Sequence, residues 1–357
     1  MPGPSASFIF KSSQSTPRVV GLRGAGVRSL SSFHTEGCER GFIYIDTLGA
    51  TRVCELEDGT NYTDTGMVVK KIPLVEEIQA VAYHPIKKVY AVATQHMEGF
   101  ELPKDDDYHR EWAKEELTFP PKTPRGVVKL LSPRNWSVVD THALEANEFV
   151  TKMDVLSLEV SEHTHEQRLL LVVGTAISQG EDLPIKGRVY VFDIITVVAI
   201  PGKPETNVAL KLFAKEDIPR GAITGLSSIG TQGFLVVAQG QKAMVRGLKE
   251  DGTLLPVAFM DMGTYVTGIS SLPGTGIVAF SDAMKGVWLV GYAEEPYRMV
   301  QLGKQGGGME TVGCQLLPVG GELYVVVADA DAGLHVLQFD PERKLTFSFP
   351  SFSRHCE

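Results

Sequence analysis

Residues 266–292, VTGISSLPGTGIVAFSDAMKGVWLVGY, consist of three short apolar runs separated by two turns. The runs are rich in Val, Ile and Phe and are shorter than a core helix, so they predict β-strands. The first turn contains Pro273 and Gly274, and the second contains Asp282 and Gly286. Residues of these types suit the backbone conformations of tight turns. The stretch therefore predicts three successive strands joined by short turns.

This unit recurs along the chain. The segment ITGLSS at 223–228 precedes VTGISS at 266–271 by 43 positions, and Asp282 recurs as Asp329, 47 positions later. A repeat of this length is the expected size of a four-stranded propeller blade. One such sheet cannot bury both of its faces alone, so each blade must pack against its neighbours.

Looser copies bring the number of units to six. The units occupy residues 27–56, 78–133, 150–194, 223–248, 266–292 and 324–339. The sequence therefore predicts an all-β, WD40-like β-propeller with about six recognisable blades, the last or next of which is incomplete. We expect the propeller domain to span residues 1–343.

A charged insertion interrupts the second unit at residues 96–124. A stretch this polar between two strands is expected to project from the propeller rather than to fill its core. Within the insertion, residues 105–117 contain good helix formers and predict either a helix or a solvated loop.

Composition limits the classes of partner. The chain has 357 residues, 43% of them hydrophobic, and a net charge of −9, so it can bury a core but is a poor general binder of phosphate backbones. One local exception is a basic set, Lys122, Arg125, Lys129 and Arg134, near Trp136. Basic and aromatic neighbours can contact RNA, so these four cations predict a possible RNA-facing patch.

The motifs that resemble catalytic or ligand sites fail on spacing or context. GLRGAG at 21–26 is not set between a strand and a helix, and GLSSIG at 225–230 lacks the spacing of a nucleophile elbow. His163 and His165 have no set of further ligands at metal-binding spacing. The carboxylates of 105–107 and 115–116 lie in the most polar stretch, where burial cannot separate their pKa values. We therefore predict no catalytic residues, no metal, no cofactor and no enzymatic activity.

Cysteine usage and hydropathy bear on the compartment. None of the four cysteines forms a C-x-x-C pair, which favours free thiols in a reducing compartment. A disulfide between Cys38 and Cys54 is the alternative. No apolar run approaches the ~18 residues needed to span a bilayer, so we expect no membrane partner.

Three long segments carry a family resemblance. They are KKIPLVEEIQAVAYHPIKKVYAVATQ (70–95), VKLLSPRNWSVVDTHALEANEFV (128–150) and LLVVGTAISQGEDLPIKGRVYVFDIITVVAIPGKPETN (170–207). They resemble the C-terminal region of a family of three-propeller proteins. This family contains the 160-kDa-type large subunit of the cleavage and polyadenylation specificity factor, the damaged-DNA-binding ubiquitin-ligase adaptor and the 130-kDa subunit of splicing factor 3b. The extension VVAIPGKPETN at 197–207 is most similar to the polyadenylation member in its fungal form.

The resemblance implies a nuclear scaffold in pre-mRNA 3′-end processing. The expected partners are a WD40-repeat subunit, a zinc-finger subunit and an endonuclease module, with pre-mRNA contacted indirectly. A propeller adaptor of a related complex, either a ubiquitin ligase or a U2 splicing particle, and a propeller that binds RNA directly remain alternatives. The family pattern assigns no catalytic residue to this chain.

The resemblance also predicts what the chain lacks. We expect the first two propellers of the family and the helical domain after the third to be missing. Residues 344–357, KLTFSFPSFSRHCE, do not resemble the family's continuation and are interpreted as an aberrant tail. Their first six residues alternate and predict a possible strand.

Overall fold

The computed structural model consists almost entirely of β-strands. It describes residues 3–4, 6–10, 17–22, 26–55, 60–61, 69–102, 119–180, 183–305 and 308–340. The chain divides into two compact units, Met1–Val75 and Glu76–Glu357. The described part contains no helix long and apolar enough to cross a membrane.

The described residues of the first unit form three small antiparallel sheets. Its strands are β1 (Ser7–Phe10), β2 (Arg18–Gly21), β3 (Val27–Thr35), β4 (Cys38–Asp46), β5 (Thr51–Glu55), β6 (Thr60–Asn61) and β7 (Val69–Lys70). They pair as β1-β2, β3-β4-β5 and β6-β7. The small core holds Ala6, Val27, Phe42 and Tyr44, and the ring of Phe8 meets that of Phe42 edge-on at 4.7 Å.

The second unit contains five antiparallel sheets in chain order. The first sheet comprises β8 (Glu77–His84), β9 (Val89–Gly99), β10 (Lys122–Leu131) and β11 (Val138–Ala143). The second sheet comprises β12 (Glu148–Glu159), β13 (Gln167–Ile177), β14 (Lys186–Thr196) and β15 (Val208–Ile218). The third sheet comprises β16 (Ile223–Ile229), β17 (Phe234–Gln239), β18 (Lys242–Leu248) and β19 (Leu254–Asp261). The fourth sheet comprises β20 (Val266–Ser271), β21 (Ile277–Asp282), β22 (Gly286–Glu294) and β23 (Tyr297–Lys304). The last comprises β24 (Thr311–Val319), β25 (Glu322–Asp329) and β26 (Leu334–Gln338). A 3-10 helix, Pro204–Thr206, lies between β14 and β15.

Consecutive sheets stack face to face, which explains the apolar composition of the middle strands. Val172 and Val173 in β13 point to opposite faces, yet both are 0% exposed. Val173 belongs to the core shared with the preceding sheet, and Val172 belongs to the core shared with the following one. Two further cores lie between the third and fourth and between the fourth and fifth sheets. This is the mutual burial expected of propeller blades.

The predicted fold is confirmed. Each of the six sequence units coincides with one sheet, and the first strand of each sheet in the second unit packs against the first strand of the next. The last sheet has three strands among the described residues. The turn residues Asp282 and Asp329 end the second strands of their sheets, and Asp46 ends β4 in the same way.

The two strands that flank the charged insertion are longer than their composition suggests. Residues 96–99 extend β9 and residues 122–124 extend β10, and the two strands pair as far as Lys122 and Gly99. This ribbon is polar and held by backbone hydrogen bonds, so no apolar alternation marks it. The predicted helix or loop at 105–117 and the predicted tail at 344–357 lie outside the described residues.

Candidate functional site

A β-bulge lies near the start of the first strand in each of the larger sheets. The first strand of every three- or four-stranded sheet has one extra residue near its N-terminal end; the extra residues are Arg28, Gln79, Thr151, Thr224, Thr267 and Val312. A bulge bends the strand and re-aims the side chains that follow it.

Two of the bulged threonines bond directly to the next blade. The Thr267 hydroxyl donates to the carbonyl oxygen of Thr311 at 2.8 Å, and the Thr151 hydroxyl donates to the carbonyl oxygen of Ile223. Each acceptor is the first residue of the following inner strand. The Thr224 hydroxyl, at the same position, is buried without a hydrogen-bond partner in the described part of the chain.

The inner strands of four blades surround a depression of about 330 Å³. β12 contributes Lys152 and Asp154, and β24 contributes Cys314. Burial raises the pKa of the Asp154 carboxyl, and burial also raises the pKa of the Cys314 thiol to about 12. A thiol with such a pKa stays protonated at neutral pH and is a poor nucleophile.

The rest of the depression is lined by glycine, threonine and aliphatic residues. Its other lining residues are Met153, Thr224, Gly225, Leu226, Thr267, Gly268, Ile269, Val312 and Gly313. Among the described residues the lining has one carboxylate, that of Asp154, and no histidine. The described residues contain no cluster of three or more potential metal ligands, His163 and His165 included.

Two of the four cations predicted to face RNA form ion pairs with carboxylates. Lys129 Nζ lies 2.6 Å from Glu76 Oε2, and this lysine side chain is only 13% exposed. Arg125 Nη1 lies 3.1 Å from Glu98 Oε2, and Arg125 Nε donates to the Leu144 carbonyl oxygen at 3.0 Å. The Lys129 ammonium holds the pKa of the Glu76 carboxyl below its usual value, with the Thr94 hydroxyl acting in the same direction.

The other two cations occupy different places. Lys122 is exposed at the start of β10, an odd number of residues from Arg125 and therefore on the opposite face of the strand. Arg134 is exposed in the turn between β10 and β11. The structure does not gather Lys122, Arg125, Lys129 and Arg134 on one face, and RNA contact by them stays a prediction.

A buried charged cluster that the sequence analysis did not predict lies in the second sheet of the large unit. Glu148 is 0% exposed and accepts hydrogen bonds from Thr175 Oγ1 at 2.6 Å, Arg188 Nη1 at 2.7 Å and the Tyr190 hydroxyl at 3.0 Å. Burial raises the pKa of Tyr190, and the charge of Glu148 adds to this effect. The only signal was the position of Arg188 and Tyr190 within GRVYVFDI, a motif that carries the family resemblance.

Cys38, Cys54 and Cys314 are free thiols, as the spacing of the cysteines favoured. No disulfide joins Cys38 and Cys54.

The fold and the inner surface define a propeller protein, and two family models match the chain. The model described as the CPSF A subunit region matches residues 125–348, and the model described as the RSE1/DDB1/CPSF1 second beta-propeller matches residues 1–56. The chain belongs to the CPSF A subunit family. Because residues 1–56 match a second-propeller model, the expectation that this propeller is wholly missing needs correction.

Several curated proteins are similar to this chain over most of its length. Protein cft1 of Neurospora crassa is 58% identical over 96% of this chain and 23% of its own length, and CFT1 of Coccidioides immitis is 49% identical over 96% of this chain and 24% of its own. Protein cft1 of Schizosaccharomyces pombe is 34% identical over 88% of this chain and 22% of its own length. The chain thus spans about a quarter of the length of these relatives.

Proposed function

We propose that this chain is a non-enzymatic scaffold segment of the nuclear complex that cleaves and polyadenylates pre-mRNA 3′ ends. The observation that carries the proposal is the 58% identity to Neurospora crassa cft1 across 96% of the chain, together with the CPSF A subunit match. A match that covers the stacked blades as well as their turns supports a common docking function.

The chemistry of the inner surface supports a scaffold. The depression combines a protonated thiol, threonine hydroxyls and aliphatic groups, with Asp154 as its carboxylate. Such a surface can hold a side chain or a short segment of a partner by packing and hydrogen bonding. The proposed partners are the WD40-repeat subunit, the zinc-finger subunit and the endonuclease module, through which the chain contacts pre-mRNA indirectly.

A chimera tests this function. Residues 1–340 of this chain replace the matching quarter of cft1 in Neurospora crassa, and cleavage of a reporter transcript at its polyadenylation site is measured. Cleavage close to the parental level is the expected result. In a matched chimera carrying Gly225→Val, reporter cleavage should fall in proportion to the amount of the chimera in the cell, because a scaffold acts through its fold. An abundant, folded chimera that leaves the reporter uncleaved would contradict the proposal.

The second candidate is an adaptor of a related complex. The family model that matches residues 1–56 is described as the second beta-propeller of RSE1, DDB1 and CPSF1 together. The match of this segment therefore does not distinguish these three proteins from one another. The relatives matched across nearly the whole chain carry the cft1 name, which favours the 3′-end complex.

A further inference from the structure

Three loops at one end of the first two blades of the large unit meet across the blade boundary. They are the turns 85–88 and 132–137 of one blade and the connection 197–207 of the next. Lys87 Nζ donates to Thr196 Oγ1 at 3.0 Å, and Asn135 Nδ2 donates to Glu205 Oε1 at 3.1 Å. These two hydrogen bonds join residues far apart in sequence into one surface.

The surface exposes large aliphatic side chains. Val198 is 97% exposed, Ile86 is 69% exposed and Ile200 is 58% exposed. The same three loops carry the exposed cations Lys88, Arg134 and Lys203. We call these six residues the basic ledge. Grouped exposed apolar side chains rimmed by charge are typical of a site of protein interaction.

The connection 197–207 holds its shape through its own hydrogen bonds. Val197 N–H donates to the Asn207 carbonyl oxygen at 2.9 Å, and Lys203 N–H donates to the Ile200 carbonyl oxygen at 2.9 Å. The Thr206 hydroxyl accepts from Ile200 N–H at 2.9 Å and donates to the Lys203 carbonyl oxygen at 2.8 Å. The exposed side chains are therefore presented by a preorganised backbone, which lowers the entropic cost of binding.

The charge of the ledge is local. The three loops contain four cations, counting Lys87, and one carboxylate, that of Glu205, whereas the whole chain carries −9. At the same end of the large unit, the loop 160–166 of the second blade and the loop 249–253 of the third blade are acidic and include Glu162, Glu250 and Asp251. A basic surface within an acidic chain favours an acidic partner and guides it to this place.

The side chains favour a protein over single-stranded RNA. RNA-binding surfaces without base readout use exposed aromatic rings as stacking platforms. The only aromatic residue of the three loops is Trp136, which is half-buried with its ring centroid 5.6 Å from that of Tyr90. The exposed apolar groups are aliphatic and suit aliphatic partners.

We propose that the basic ledge docks a partner protein through a segment that combines carboxylates with aliphatic side chains. The aliphatic groups of the segment pack on Ile86, Val198 and Ile200, and its carboxylates pair with Lys88, Arg134 and Lys203. This inference rests on the proposed scaffold function but concerns a single surface of the chain.

A random peptide library displayed on phage, selected against the whole chain, tests the ledge. Peptides that combine Asp or Glu with Leu, Ile or Val should be enriched. Their affinity, measured by fluorescence anisotropy, should fall about tenfold with Val198→Asp and about tenfold with the double variant Lys88→Glu and Lys203→Glu. The matched controls Val319→Asp and Arg298→Glu, on other blades, should leave the affinity unchanged.

Two outcomes would overturn the inference. One is a selection that yields no peptide sensitive to the ledge variants, provided that their melting temperatures equal that of the parent. The other is a single-stranded RNA oligonucleotide that binds and is lost with the Lys88 and Lys203 double variant but not with Val198→Asp. Neither outcome changes the expected result of the chimera experiment, so failure of the ledge and failure of the scaffold function are distinguishable.

Discussion

Glycine follows the bulge of the inner strand where two blades approach closely. A Cβ added at Gly225 would lie 2.5 Å from Ile269 Cγ1 of the next blade. A Cβ added at Gly313, the same position in the last sheet, would meet no atom of the described residues within 4 Å. The requirement for glycine therefore comes from the neighbouring blade rather than from the strand itself.

This contrast gives a matched pair of variants. Gly225→Ala should destabilise the chain by about 1–3 kcal/mol, because Ile269 must move within a packed core. Gly313→Ala should be neutral or stabilise by up to about 1 kcal/mol, since alanine restricts the unfolded chain. Chemical denaturation measures both, and equal losses for the two variants would contradict the account.

The threonine of the bulge supplies a second pair. Thr267→Val removes the hydrogen bond to the Thr311 carbonyl and should cost about 1 kcal/mol, because the carbonyl loses its donor. Thr224→Val replaces a hydroxyl that has no partner in the described part of the chain and should cost nothing or stabilise. Thermal unfolding of both variants checks the difference, and a larger loss for Thr224→Val than for Thr267→Val would contradict this assignment.

The ion pair of Glu76 and Lys129 should make stability depend on pH. The folded state lowers the pKa of Glu76 below its ordinary 4.5, so this group contributes stability above pH 4.5 that is lost as the pH falls through the lower, folded pKa. Glu76→Gln should cost about 1 kcal/mol at pH 7, allowing for partial exposure, and the cost should shrink below pH 4.5. A cost that is the same at pH 7 and at low pH would contradict this assignment.

At the scale of the element, one aspartate fixes a blade turn. Asp282 is 0% exposed, and its carboxylate accepts from the backbone N–H groups of Thr264 at 2.7 Å, Lys285 at 3.1 Å and Met284 at 3.2 Å. These bonds tie the turn between β21 and β22 to the entry of β20.

Asp282→Ala should therefore destabilise the chain by about 2–4 kcal/mol, since several backbone donors lose their buried acceptor. Asp251→Ala, in an exposed turn where the carboxylate accepts from Thr253 N–H at 2.9 Å, should leave the melting temperature nearly unchanged. Melting curves of both variants make the comparison, and similar losses would contradict the special role of the buried turn.

The elements differ in how far the sequence predicts them. The repeat of Asp282 and Asp329 predicts the blades, because turn residues and apolar strands are local signals. The pairing of residues 96–99 with β10 and the bulges escaped prediction, since they depend on backbone register, which side-chain patterns do not reveal. The Glu148–Arg188 pair and the basic ledge join distant parts of the chain, and only the packed structure brings them together.

At the scale of the molecule, sheets that stack in chain order create both the central depression and the loop surfaces at the blade ends. Each blade supplies one wall of the cores that it shares with its neighbours. Such an assembly presents its loops on a shared frame of packed sheets. A variant that destabilises these shared cores should therefore disturb all of the loop surfaces at once.

Affinity purification from nuclei tests this account most directly. The chain is tagged within the Neurospora crassa chimera, and the proteins bound to it are quantified by mass spectrometry against a chimera carrying Gly225→Val. We expect the WD40-repeat, zinc-finger and endonuclease subunits of the 3′-end complex to be recovered with the parental chimera and depleted with the variant. Recovery of cullin ligase or U2 particle subunits in their place would contradict the proposed function.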